Sequence, residues 1–98
     1  MAKRDIIGFS MKNGKHIDDN ENSWYYKNNK LHREDGPAYE NSNGFKIWYL
    51  NDKLHREDGP AIEHSNGNKE WWYYDNLAKN KEEFYNDKWR KEILMDLV

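Results

Sequence analysis

LHREDGPA at residues 31–38 recurs without change at residues 54–61, and the reading of the whole chain turns on that duplication. The spacing is 23 residues, and the match continues outward from the octapeptide. Glu40 falls on Glu63, Ser42 on Ser65, Asn43-Gly44 on Asn66-Gly67, Lys46 on Lys69 and Trp48 on Trp71. One period upstream, Tyr25, Tyr26, Asn28 and Lys30 fall under Trp48, Tyr49, Asn51 and Lys53. The segment 11–16, with Asn13-Gly14-Lys15, reads as another Asn-Gly turn in a shortened first copy. A fixed period of this length marks a repeat architecture in which each unit buries its apolar face against its neighbours.

Inside a repeat, Asn43-Gly44 and Asn66-Gly67 separate β-prone runs, the strongest short-range signal for a hairpin, since both residue types tolerate φ > 0. A two-residue loop would set Glu63 opposite Glu70. A three-residue loop ending on Gly sets Glu40 opposite Lys46 and Glu63 opposite Lys69. Opposite-charge cross-strand pairs contribute about 0.2–1 kcal/mol, which favours the longer loop. The second reversal runs through Glu34-Asp35-Gly36-Pro37 and its copy Glu57-Asp58-Gly59-Pro60. There Pro suits a strand start or edge, and Gly36 and Gly59 are expected to hold positive φ. Together these signals predict a mainly β fold, an antiparallel meander of hairpin repeats.

From Asn80 the pattern changes. Asn80 with Glu83 has the spacing of an N-cap and its capping partner, and no Gly or Pro follows. Tyr85, Trp89, Ile93 and Leu97 recur every four residues, with Phe84, Leu94, Met95 and Val98 on a flanking face. This predicts one C-terminal α-helix over 80–98 that caps the last hairpin, whose apolar face and open edge would otherwise meet water. The expected organisation is a single domain, 1–98: a strand and degenerate repeat at 1–30, repeats at 31–53 and 54–79, and the helix.

Composition sets the limits of what this chain does. Its 98 residues suffice for one small domain and exclude two enzymes in tandem. Hydrophobic residues are 36%, charged residues 35% and mean hydropathy −1.36, close to values of disordered chains. Five Trp, seven Tyr and three Phe argue for a fold, because each ring can bury roughly 150–250 Å². The net charge of −2, despite a basic start at Lys3, Arg4, Lys12 and Lys15, creates no field for phosphate or acidic lipid. Without cysteine there is neither a disulfide framework nor a thiolate site. Clusters such as Ile6-Ile7 and Ile93-Leu94-Met95 are too short for a signal or membrane segment, so a cytoplasmic protein without membrane contact is expected.

The stretch WYLNDKLHREDGPAIEHSNGNKEWWYY resembles MORN-variant repeats, and in particular the tandem WYxNGKLHRxDGPAxExxxG repeats of small proteins from tailed bacteriophages and giant viruses. The resemblance covers about residues 9–85 and includes the EEF signature at Glu82-Glu83-Phe84. It departs at Asn29 and Asp52, where the usual turn glycine is replaced by residues that tolerate the left-handed region. Such arrays serve mostly as binding or scaffold modules. The resemblance therefore implies a non-enzymatic phage-type protein that binds and inhibits a host protein, such as a nuclease or another component of restriction or CRISPR defence, in the host cytoplasm.

Among candidate functional residues, His32, Arg33, Glu34 and Asp35 with their copies His55, Arg56, Glu57 and Asp58 hold groups suited to metal binding or acid–base chemistry. Their repetition along an axis fits a shared structural task better than one convergent catalytic point, so no catalytic residue, metal or cofactor is assigned. Trp24, Tyr26, Tyr49, Trp72 and Tyr74 are the expected binding aromatics, because adjacent strand residues face opposite ways and one layer of sheet cannot hide both sets. Trp48 and Trp71 are expected in the core. A second class of function uses the same rings with Arg33 and Arg56 to stack a nucleotide signal or single-stranded nucleic acid. His16 and His64 read as surface residues. The C-terminal helix could alternatively enter a partner's groove.

Overall fold

In the computed structural model, residues 11–97 are described. The basic pair Lys3-Arg4, the Ile6-Ile7 cluster and Val98 lie outside them. Eleven short strands and two helices follow in order among the described residues. The strands are β1 (Gly14–Ile17), β2 (Ser23–Lys27), β3 (Lys30–Leu31), β4 (Tyr39–Glu40), β5 (Lys46–Ile47), β6 (Tyr49–Leu50), β7 (Lys53–Leu54), β8 (Ile62–Glu63), β9 (Lys69–Glu70), β10 (Trp72–Tyr73) and β11 (Asn76–Leu77). The helices are α1 (Lys81–Phe84) and α2 (Asp87–Asp96). All pairings are antiparallel. The main sheet runs β1-β2-β4-β5-β8-β9 with β3 attached to β2, while β6–β7 and β10–β11 form two-stranded ribbons. Each repeat therefore makes two hairpins.

The Asn-Gly hairpin has the three-residue loop. Asn41 N–H donates to the Phe45 carbonyl at 3.0 Å, Gly44 N–H donates to the Asn41 carbonyl at 3.2 Å, and Gly44 sits at φ +90°. Its copy repeats this between His64 and Asn68, with Gly67 at φ +93°. The register sets Glu40 opposite Lys46 and Glu63 opposite Lys69, as the charge argument requires. Lys46 also faces Glu63 across β5 and β8, so one side of the sheet carries an alternating row of charges. The opposite side carries Trp24, Tyr39, Ile47 and Ile62 in one row.

The ribbon turns are two-residue turns with both residues at positive φ: Asn28 and Asn29 at 51° and 70°, Asn51 and Asp52 at 48° and 67°, Tyr74 and Asp75 at 45° and 65°. That geometry matches the twist of the flanking strands. The missing glycines have a physical reason. Asp52 Oδ1 accepts the Leu31 N–H at 2.6 Å while its own N–H donates to the Leu31 carbonyl at 2.8 Å, across 21 residues. Asp75 makes the same pair of bonds to Leu54, and Asn29 to Lys12. Glycine would supply the conformation without the side-chain bond.

These bonds also correct the reading of segment 11–16. Lys12 stands where Leu31 and Leu54 stand, and Asn13 Oδ1 accepts the Asn28 N–H as His32 Nδ1 accepts that of Asn51 and His55 Nδ1 that of Tyr74. Lys12-Asn13 is thus the vestige of the Leu-His step, and Gly14 opens β1 rather than a hairpin loop.

The helix expected over 80–98 is interrupted. Asn80 caps α1 by accepting the Glu83 N–H at 2.9 Å, as the capping signature implied, while Glu83 Oε1 accepts the N–H of Lys79, the residue before the cap. Asn86 then caps a second helix by accepting the Trp89 N–H at 2.9 Å. A short polar side chain that bonds its own downstream backbone competes with helix continuation. The break rotates the four-residue stripe apart: Ile93 is buried and Trp89 half-buried, whereas Tyr85 and Leu97 are exposed. Phe84, expected on the flank, is fully buried instead.

The helices complete the one apolar cluster, Tyr73, Ala78, Phe84 and Ile93, with Trp71, Tyr74 and Trp89 packed against it. Trp48 is only half-buried, and the fully buried positions along the sheet are Ala38 and Ala61, whose carbonyls accept the Tyr25 and Trp48 N–H groups at 2.7 Å. The molecule is a slab of 56 × 36 × 17 Å with a radius of gyration of 16.3 Å, against about 13 Å for a compact chain of this length.

Replacing Asp52 by Gly should cost about 1–2 kcal/mol although Gly is better suited to the turn, because the bond to Leu31 is lost. Asp52→Asn, which keeps the acceptor, should cost less than half as much. Urea denaturation midpoints measure both.

Candidate functional site

The duplicated octapeptide builds a loop that projects from the sheet, and its arginine organises it. The Arg33 guanidinium lies 4.0 Å from the Tyr25 ring centre, its Nε donates to Asp35 at 3.0 Å and its Nη1 to the Pro37 carbonyl at 3.2 Å. Arg56 lies 3.9 Å from the Trp48 ring and donates through Nη1 to the Pro60 carbonyl at 3.1 Å and to Glu63 at 3.0 Å. A guanidinium over a ring gains cation–π attraction while its edge stays free to bond.

This arrangement explains the glycines, and not as positive-φ residues. Among the described residues the positive-φ glycines are Gly14, Gly44 and Gly67. A Cβ at Gly36 would stand 2.8 Å from Arg33 Cζ, and one at Gly59 2.7 Å from Arg56 Cζ. Glycine leaves room there for the guanidinium to lie against the backbone, and a Cβ would have to displace it.

Each histidine of the octapeptide clamps the ribbon turn at the far end of its own repeat. With Nδ1 accepting a backbone N–H, the ring hydrogen is on Nε2, where it reaches a glutamate: His32 to Glu34 at 3.2 Å and His55 to Glu57 at 2.7 Å. His55 is 2% exposed and stacks on Tyr74 with 3.7 Å between ring centres. Burial holds its pKa below the ordinary 6.5, opposed by the bond to Glu57 and that group's charge. His64, at the edge of the sheet, bonds Glu70 at 2.7 Å, and Glu70 also accepts from Trp72 Nε1 at 3.0 Å. Those two bonds, the histidine's first, lower the Glu70 pKa.

Of the expected binding aromatics, Trp24 and Tyr26 share one side of β2, where Trp24 packs against Tyr39 at 5.4 Å and Tyr26 meets His16 edge-on at 5.2 Å. Tyr49 and Trp72 occupy the positions one and two periods after Tyr26. Tyr74 is set apart: it is a turn residue committed to His55. Arg33 and Arg56 are not beside these rings, for they stack on Tyr25 and Trp48, which alternate to the other side of their strands.

Four residues that sequence inspection did not single out complete the aromatic side. Tyr39, Phe45, Ile47 and Ile62 are all half-exposed, and Tyr39–Phe45 and Phe45–His64 ring contacts at 6.0 and 5.4 Å join them into a strip. The signal was present in the hairpin register, since pairing Glu40 with Lys46 sets Tyr39 beside Ile47 on the same side as Trp24. On the opposite side a groove of about 630 Å³ opens between the two octapeptide loops, over Trp48 and Leu50.

No family model, curated protein or solved structure matches this chain. Among the described residues no helix is long and apolar enough to cross a membrane, and no group of three or more His, Asp or Glu is placed to hold a metal ion.

A protonated His55 would present a hydrogen to the Tyr74 N–H. The unfolded chain takes up that proton as the pH drops through about 6.5 and the folded chain only at lower pH, so the unfolded state gains protons first. Stability should be complete above pH 6.5 and decline below it, and a His55→Gln variant should lose this step in melting temperature between pH 7 and about pH 5. Gly59→Ala should expel Arg56 from the Trp48 ring at a cost of about 1–2 kcal/mol, with a change in tryptophan fluorescence at neutral pH.

Proposed function

We propose that this protein is a non-catalytic binding module whose aromatic sheet face docks on another protein. The observation that carries the reading is the row of Trp24, Tyr39, Ile47 and Ile62, which crosses four strands half-exposed while the helices pack at the far end on Tyr73 and Ala78. A contiguous apolar strip rimmed by polar side chains is the signature of an interaction surface. The MORN-variant resemblance supports the further reading of a phage-type protein acting in the host cytoplasm, its target a nuclease or other component of restriction or CRISPR defence. Stacking of a nucleotide signal or single strand between rings and arginines has less support, because the Arg33 and Arg56 guanidiniums are bonded within their own loops on the opposite side.

Affinity purification of the tagged protein from host lysate, with mass spectrometry, is the test. A partner should be retained with little change between about 50 and 200 mM salt and be lost from an Ile47→Asp, Ile62→Asp variant that melts as a folded protein. Capture of nucleic acid that falls by orders of magnitude over the same salt range would replace this reading with the second one.

A further inference from the structure

Arg90 shows what an octapeptide loop binds. From α2 its Nη2 donates to the Glu57 carbonyl at 2.7 Å and its Nη1 lies 3.4 Å from Glu57 Oε1. Its Nε donates to the Phe84 carbonyl, and its guanidinium stands 4.6 Å from the Tyr73 ring centre. The Glu57 carboxylate is thereby divided: Oε2 holds His55 and Oε1 faces the arginine.

Moved back by one period of 23 residues, Glu57 becomes Glu34 and Tyr73 becomes Leu50, and both border the groove between the two loops. Arg90 itself becomes Gly67, in the turn between β8 and β9, so the chain has no equivalent arginine to place there. Glu34 is divided in the same way: Oε2 holds His32 at 3.2 Å, and Oε1 has no donor among the described residues.

The charge of the groove selects the sign of its occupant. Arg33 and Arg56 are already engaged by their rings and loop carbonyls, and Lys46 stands in register between Glu40 and Glu63 in the cross-strand row. Three cations face five carboxylates in the lining, with Glu34, Asp35 and Asp58 at the rim. The surplus of carboxylates repels an anion and offers acceptors to a cation.

We propose that this groove is a guanidinium site that receives an arginine side chain of a protein partner. The guanidinium donates to the Glu34 carboxylate and carbonyl, as Arg90 does at Glu57, and the aliphatic stem lies on Leu50 and Pro37. Arginine is preferred over lysine because two acceptors on one residue match a planar fork and not a point charge. Lys46 and Glu63 point away from Ile47 and Ile62, so this site and the aromatic face stand or fall separately.

The full-length protein labelled with nitrogen-15 is titrated with the acetylated, amidated tripeptide Gly-Arg-Gly and with its lysine and citrulline counterparts. The arginine peptide should give saturable shifts at the Glu34 and Leu50 amides and the Trp48 indole, in the millimolar range expected for a single side chain. Citrulline should give none, and lysine should bind more weakly. Glu34→Gln should reduce affinity about tenfold, and Leu50→Tyr, which restores the ring found beside Arg90, should raise it. No shift at about 10 mM peptide, equal binding of lysine, shifts confined to Trp24 and Ile47, or full binding by the Glu34→Gln protein would each overturn the proposal.

Discussion

The bonds that tie the ribbon turn of each repeat back to that repeat's own loop are the constraint on which the rest of this structure depends. A chain with 36% hydrophobic residues, folded as a slab 17 Å thick, has few places where side chains leave water altogether. Burial is concentrated at the C-terminal end, where Phe84, Tyr73 and Ile93 meet and Arg90 bonds the Phe84 and Glu57 carbonyls. Elsewhere each ribbon turn is fastened to the preceding loop by a carboxylate or amide oxygen, a backbone N–H and a histidine or asparagine side chain. With the turns fixed, the arginines settle on the rings behind them, the loops project, and the groove between the loops takes its shape.

Much of this was legible in the sequence where the signal was local. The period, the Asn-Gly loop length, the Glu40–Lys46 pairing and the Asn80 cap all follow from rules that act within a few residues. Asn29 and Asp52 were recognisable as residues that survive in a left-handed turn. What they do there was not legible, because their partners are 17 and 21 residues away, at the opposite end of the same repeat. A similar distance hid the task of His32 and His55, whose Nδ1 atoms serve backbone amides 19 residues further along the same repeat.

Two readings went astray for identifiable reasons. Gly36 and Gly59 sit in turn-like sequence, yet their role is to leave room for the arginine three residues earlier, and that contact exists only once Arg33 and Arg56 have stacked. The apolar stripe Tyr85, Trp89, Ile93 and Leu97 promised one helix, and the Asn86-Asp87 step that ends the first helix and starts the second was outweighed in that reading by periodicity. Of the candidate binding side chains, Trp24 and Tyr26 share a face, whereas Tyr74 serves its own turn. Parity along the strand could sort the first two, but only the turn geometry reveals the last.

Because every repeat carries the same turn-to-loop bonds and pairs with its neighbour through equivalent strands, and because the sequence shortens only the first copy and places Ala78 where the others carry histidine or asparagine, the architecture is modular in a strict sense. Gain or loss of one 23-residue unit in the middle would leave both ends chemically unaltered. It would lengthen or shorten the aromatic strip by two strands and add or remove one loop groove at the same time. The reach of the surface and the number of its side pockets therefore vary together, by whole units and not by single residues.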